Sequence, residues 1–372
     1  MFPVKVKWNK QLLGPIDLAP TDTFQDLKSK LLPITHIPLD KQKLLYKGRI
    51  LKGTDTPESV GLEQEGLVVL IGVAEGSAPV PAAPVSNLDF PTLADLGSSS
   101  HLNVTLQLLN RIPELHESLQ GYSGSELPKY LRDVLLALAG SRGQAVSPVQ
   151  LLAKVLSVLP QFGQREAGGR LKRPDLGEFL MAFWQAVGVG MTVLGEDGKE
   201  RGLHRELFEL QVERPGKTES VWRLTASVDG ATTLEEGLKV SLEKGGEAWQ
   251  VAKLPAYLWI HTLGERKAGL NYPRTLDVSP ICSSSLQSAL LSARSCPASS
   301  SFGLDQTPAT GFYTLLGLAS LQSLSIDSPQ YVTWIPEGAG WVGLADSRAY
   351  RVETLAEVGP LVLLYARGGK ES

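Results

Sequence analysis

Alternating hydrophobic and polar positions open the chain. Val4, Val6 and Trp8 are separated by Lys5 and Lys7, the period of a half-buried strand, and Gln11 to Leu18 can return beside it as a hairpin partner. The rhythm then changes to helical spacing at Phe24, Leu27 and Leu31, behind Thr23 and Asp26, which frame a helix start. Pro33 is expected to stop that helix, because it lacks the backbone N–H and crowds the preceding turn. Lys41-Gln-Lys-Leu-Leu-Tyr-Lys-Gly-Arg-Ile-Leu51 predicts a strand, a glycine turn and a short strand, and Gly66-Leu-Val-Val-Leu-Ile71 predicts a final buried strand. Residues 1–73 therefore read as one self-contained ββαββ unit.

Beyond Gly72 the pattern breaks down. Residues 74–87 are small and Pro-rich (Ala78-Pro-Val-Pro-Ala-Ala-Pro84), a composition that buries too little area to fold and favours an extended linker. From residue 88 to about 370 a second body follows. It is helical over 102–160, with breaks expected at Pro113, Pro128 and Pro148, and β-rich after about 205. No internal repeat is visible.

Composition narrows the function classes. A chain of 372 residues with 42% hydrophobic residues can bury a substantial core. Its net charge of −3, without a clustered Lys/Arg tract, argues against nucleic acid as a partner. No run of 18 apolar residues suggests a membrane span and no signal peptide is indicated, so a cytosolic or nuclear location is expected. Cys282 and Cys296 are the only cysteines, which excludes a four-cysteine zinc site and predicts free thiols, one or both buried. The five histidines show no ligand spacing and no phosphate loop is present, so neither a metal nor a cofactor is expected.

The ββαββ order around the lysine-flanked Leu44-Leu45-Tyr46 resembles a ubiquitin-like domain. No Gly-Gly follows Gly72, so the resemblance implies a built-in adaptor and not a conjugated modifier. Leu45 and Val69, flanked by Lys43, Lys47 and Arg49, match the patch by which such folds dock on receptors. The partner this implies is the regulatory particle of the 26S proteasome.

In the second body, Leu93-Ala-Asp-Leu-Gly-Ser-Ser-Ser-His-Leu-Asn103 runs into the apolar stretch Val104 to Leu109. This resembles the box of ubiquitin-specific proteases, in which a glycine-containing loop ends at a nucleophilic cysteine on a helix. Further boxes follow in that family's order: Leu151 to Phe162, Arg173-Pro-Asp-Leu-Gly-Glu178, Leu254-Pro-Ala-Tyr-Leu258, Gln330-Tyr-Val-Thr-Trp334 and Trp341-Val-Gly-Leu-Ala-Asp346. The resemblance is to the proteasome-associated branch of the family. It implies an α+β chain, with a β-grasp ubiquitin-like domain followed by a papain-like fold of thumb, palm and reduced fingers.

Such a peptidase needs a thiolate, a histidine to make it, a carboxylate to orient the histidine and a donor for the oxyanion. Ser100 stands in the nucleophile's place. Gln330 stands in the histidine's place and cannot take up a proton near neutral pH. The orienting aspartate falls on Ala345, leaving its neighbour Asp346. The oxyanion-donating asparagine corresponds to Asp95, whose carboxylate repels developing negative charge. His101 adjoins Ser100, but neighbours on a helix point about 100° apart. His261 is expected to be a core or surface histidine, His36 lies in the ubiquitin-like domain, and His116 and His204 flank no Ser/Asp pattern. Asp175 and Glu178 are expected as surface and helix-start charges, and Ser283–Ser285 and Ser299–Ser301 as flexible loop. In the palm, Gly264-Glu265 replaces the family's Arg-Phe.

The resemblance therefore implies a catalytically silent, proteasome-associated adaptor or regulator, with ubiquitin or ubiquitinated proteins as possible partners. Two alternatives stay open: an active ubiquitin hydrolase whose true site lies elsewhere, and a scaffold that no longer binds ubiquitin.

Overall fold

The computed structural model describes the chain apart from residues 1, 9–10, 20, 36, 38, 40–41, 47–48, 64–65, 72–89, 98, 142, 166–170, 189–190, 195–199, 244–247, 265–269, 296–309, 323–328, 356–357 and 369–372. The linker expected at 74–87, and with it the proposed domain boundaries, lies outside the described residues. So do His36, Lys47, Cys296, Glu265 and Ser299–Ser301. The chain divides into two compact units, the first centred on residues 1–80.

In the first unit β1 (Phe2–Trp8), β2 (Gln11–Leu18), β3 (Lys43–Tyr46), β4 (Arg49–Ile50) and β5 (Leu67–Ile71) form one sheet in the order β2-β1-β5-β3-β4. β1 and β5 run parallel and the remaining neighbours antiparallel. The helix α1 (Phe24–Thr35) lays Phe24, Leu27 and Leu31 on Val4, Val6, Leu44, Val68 and Leu70, all buried. Thr23 and Asp26 cap it reciprocally: the Thr23 N–H and hydroxyl both donate to Asp26 Oδ2 at 2.8 Å, and the Asp26 N–H donates to Thr23 Oγ1 at 3.4 Å. Pro33 does not stop α1, which runs on to Thr35. A proline in the last turn costs a single backbone bond, and Thr35 Oγ1 donates to the Leu31 carbonyl at 2.8 Å.

The second unit packs helices against a mixed sheet. Its strands lie in the order Leu224–Ser227, Tyr257–Leu263, Pro360–Gly368, Phe312–Gln322, Gln330–Glu337, Gly340–Ala345 and Arg348–Val352, with Thr275–Asp277 paired beside Phe312–Gln322. A three-stranded sheet (Leu210–Arg214, Lys217–Val221, Gln250–Lys253) stands in the stretch expected to be β-rich after about 205. The helix α2 (Ser100–Leu109) begins earlier than its apolar run, and all ten of its residues are buried. Five of the ten are polar (Ser100, His101, Asn103, Thr105 and Gln107), and their burial is tolerated because Asn103, Thr105 and Gln107 each find a hydrogen-bond partner. The helix packs on the Gly340–Ala345 strand and on the Leu176–Gly188 helix, whose Leu176, Phe179, Leu180, Phe183, Trp184 and Val187 form one buried stripe. Pro128 does not break a helix as expected. It sits in the first turn of Glu126–Gly140, where its missing N–H has no intrahelical partner to lose. Ser284 and Ser285 likewise open a helix, Ser284–Ser295, and are not loop.

Candidate functional site

The loop ahead of α2 is folded on itself. Asp95 Oδ1 accepts the Gly97 N–H at 2.9 Å, Ser99 Oγ accepts the Leu96 N–H at 3.0 Å, and Gly97 takes a left-handed φ of 76°. With Ser99 engaged in the loop, no side chain caps α2, and the partial positive charge of the helix start is left facing Ser100. Ser100 is the first helical residue and only 6% exposed. Its Oγ accepts the backbone N–H of Tyr331 at 3.4 Å. Gln330, half-buried, opens that strand one residue earlier. The Tyr331 side chain reaches on to the Arg173-Pro174-Asp175 turn, donating its hydroxyl proton to the Pro174 carbonyl at 2.8 Å. The Arg173 guanidinium lies 5.9 Å from the centre of the Tyr331 ring.

One turn further along α2 stands Asn103, to which sequence alone did not point. Its polarity between Leu102 and Val104 is shared by Thr105 and Gln107 along the same helix and so gave no distinctive signal. Asn103 Nδ2 donates to Asp346 Oδ1 at 2.7 Å and to the Ala94 carbonyl at 3.1 Å. Asp346 follows the Gly340–Ala345 strand at a left-handed φ of 50°, and its own carbonyl accepts the Leu93 N–H at 3.2 Å. Asp346 Oδ2 and Asn103 Oδ1 are buried without a hydrogen-bond partner among the described residues. Burial pushes the Asp346 carboxyl up to about 6; the Asn103 bond pulls it down, Asp95 raises it and Arg348 lowers it. Ala345, fully buried, presents only a methyl group where the resemblance implies the orienting aspartate. The first turn of α2 thus gathers Ser100 with the Tyr331 amide and Asn103 with Asp346, while Asp95 is held in its own exposed turn.

The described histidines are engaged in packing or polar contacts. His101 sets its ring edge-on to Phe179 at 4.5 Å, and Phe179 in turn meets Phe162 at 5.1 Å and Phe183 at 5.9 Å. His261 Nε2 lies 4.0 Å from Asp175 Oδ1, and its imidazole fills the space that Gly177 leaves: a Cβ there would stand 2.5 Å from Cε1. Asp175 caps the Leu176–Gly188 helix, accepting the Glu178 N–H at 2.9 Å. His204 stacks on Trp222 at 4.3 Å against Gly188 and Gly202, and burial holds it below the usual histidine range. His116 Nε2 is 3.2 Å from the Asn110 carbonyl oxygen. Cys282 is a free, buried thiol. It donates to the Val278 carbonyl at 3.2 Å, and burial pushes it up to about 12, far from a thiolate nucleophile.

In the first unit, Lys7, Val69, Leu45 and Ile50 are direct cross-strand partners and so share one sheet face. Leu67 and Lys43 join it at the two-residue spacing of a strand. Val69 is 37%, Leu67 45% and Ile50 61% exposed, with Lys43 and Arg49 exposed beside them. Leu45 and Val69 are therefore neighbours as expected, and Ile50 and Leu67 enlarge the apolar patch. In the palm region, Gly264 takes a φ of 118°, and a Cβ there would stand 2.4 Å from Asp229 Oδ1. The backbone turn itself requires glycine.

Residues 4–73 match the ubiquitin family, and residues 92–365 match the ubiquitin carboxyl-terminal hydrolase family. The chain thus couples an N-terminal ubiquitin domain to a ubiquitin-specific protease domain, and it belongs to the ubiquitin carboxyl-terminal hydrolase family. Among its relatives are ubiquitin carboxyl-terminal hydrolases 7 and 6 of Arabidopsis thaliana, 24% and 23% identical, with 93% of this chain and 93% of each relative covered. Ubiquitin carboxyl-terminal hydrolase 6 of Schizosaccharomyces pombe is 28% identical over 201 residues, covering 50% of this chain and 42% of that protein.

Proposed function

We propose that this chain recognises ubiquitin or ubiquitinated proteins without hydrolysing them. Its first domain tethers it to the regulatory particle of the proteasome, in the cytosol or nucleus. One observation carries the catalytic silence: Ser100 Oγ faces the Tyr331 N–H, a donor. A serine nucleophile needs an acceptor for its proton, and a backbone amide supplies a proton instead of removing one. Gln330 beside that amide is no base, and the Asp95 carboxylate opposes an oxyanion. Loss of an oxyanion donor alone costs roughly 10²- to 10³-fold in turnover. Recognition is separable from this chemistry, because a globular ligand such as ubiquitin is held over a broad surface.

Two measurements on the full chain test the reading. Ubiquitin joined to a fluorogenic amine is expected to stay intact, and turnover abolished by Ser100→Ala would overturn the silence. Isotope-labelled ubiquitin is expected to shift reversibly on titration, and no shift at millimolar protein would leave a scaffold without ubiquitin binding.

A further inference from the structure

Asp346 and Asn103 are joined by one hydrogen bond at 2.7 Å, and each keeps one buried oxygen without a partner among the described residues, Asp346 Oδ2 and Asn103 Oδ1. A carboxylate offers only acceptors, and so does the amide oxygen, so in the ionised state these two oxygens cannot satisfy each other. A single proton on Oδ2 resolves both. The acid O–H would donate to Asn103 Oδ1 while Asn103 Nδ2–H donates to Asp346 Oδ1, closing a ring of two hydrogen bonds in which each of these buried polar atoms is used.

We propose that Asp346 and Asn103 form an acid-closed clasp: the carboxyl takes up a proton from solvent to complete a two-bond ring with the Asn103 amide, and the ring opens when that proton is lost. The clasp would hold three segments together at the degenerate site, because the Asp346 carbonyl accepts the Leu93 N–H and Asn103 also donates to the Ala94 carbonyl. The loop leading to Ser100, the first turn of α2 and the turn at Asp346 therefore tighten together on acidification. The charged groups that act on Asp346 oppose each other: Asp95 from the loop favours the neutral acid and Arg348 from the following strand favours the carboxylate. Burial, with Asp346 8% exposed, tips the balance to the acid. The inference is independent of ubiquitin binding.

Asparagine is the informative replacement, since Asp346→Asn is isosteric, tolerates a left-handed φ and can complete the same ring as an amide pair at every pH. In the full chain, the unfolding constant is expected to rise, between pH 4 and 7.5, roughly 60-fold more in the unaltered protein than in Asp346→Asn, given a carboxyl that titrates near 3.8 unfolded and near 6 folded. The carboxyl-carbon resonance of Asp346 in the unaltered protein gives a reading that depends on no variant, with an expected midpoint at or above about 6. A midpoint at the ordinary aspartate value, about 3.9, would mean that water and not a proton completes the pair, and would overturn the clasp. Parallel pH profiles for the two proteins would do the same.

Discussion

Ser100→Cys separates recognition from chemistry at a single atom. The new sulfur would sit where Oγ now accepts the Tyr331 N–H, at the uncapped start of α2. A helix N-terminus stabilises an anion by about 0.3–1 kcal/mol, and a hydrogen bond to a charged acceptor is worth about 1 kcal/mol more than one to a neutral acceptor. Together they favour the thiolate by about 2 kcal/mol, roughly a 30-fold larger thiolate fraction, with burial of the position working against them. Alkylation by a ubiquitin-linked electrophile needs only a docked probe and a thiolate. Turnover also needs a proton for the leaving amine and a donor for the oxyanion, which Gln330 and Asp95 do not provide. The variant is therefore expected to be labelled by a ubiquitin electrophile, measured as a mass shift, yet to turn over a fluorogenic ubiquitin substrate on the order of 10⁶-fold more slowly than an intact family enzyme. Failure of labelling in a variant that still shifts labelled ubiquitin would refute the anion-stabilising geometry at position 100. Efficient turnover would refute the assignment of Gln330 and Asp95 as inert.

Adding Gln330→His, Ala345→Asp and Asp95→Asn to Ser100→Cys is expected to raise turnover by several orders of magnitude over the single variant, read by the same assay; no gain would mean that these positions do not form one site. Leu45→Asp places a charge in the patch shared with Val69, Ile50 and Leu67, and is expected to weaken pull-down of proteasomes as severely as deletion of residues 1–73, whereas unchanged association of the deletion would remove the tether. Phe179→Ala empties a fully buried site touching His101, Phe162 and Phe183, and is expected to cost about 3–5 kcal/mol by urea unfolding; a loss below about 1 kcal/mol would mean the cluster repacks. His204 binds its proton less readily when folded than unfolded, so it destabilises the fold as pH falls below about 6.5. That is the opposite sign to Asp346. His204→Gln is expected to flatten this part of the acid limb, and an unchanged slope would show that the ring is free to charge.

Much of the architecture was legible in sequence because hydrophobic period and burial agree. Val4, Val6, Phe24, Leu27 and Leu31 all face the first core. The two misplaced proline stops both lie in end turns instead of helix interiors: Pro128, in the first turn, has no intrahelical N–H bond to lose, while Pro33, in the last turn, forgoes one bond with little helix beyond it to disrupt. Ser284 and Ser285 were misread because serine composition suggests loop, whereas Leu286 and Leu290 supply a helical spacing that the buried Leu290 anchors. At the site, chemistry read from residue types pointed to Ser100 and Asp346 but could not name their partners. Tyr331 acts through its backbone, to which side-chain identity is blind, and Asn103 meets Asp346 across 243 positions of sequence.

The burial of α2 on every side bears on how substitution data for this protein should be interpreted. A saturating mutational survey scored only by folded abundance would find residues 100–109 intolerant along their whole length, since no position there has a solvent face on which a larger or charged side chain could rest. Such a profile would look like the imprint of an active centre while arising from steric confinement alone. Sensitivity at Ser100 separates the two origins only when paired with a neighbour such as Thr105, which is equally enclosed but whose hydroxyl is committed to the His101 carbonyl at 2.8 Å.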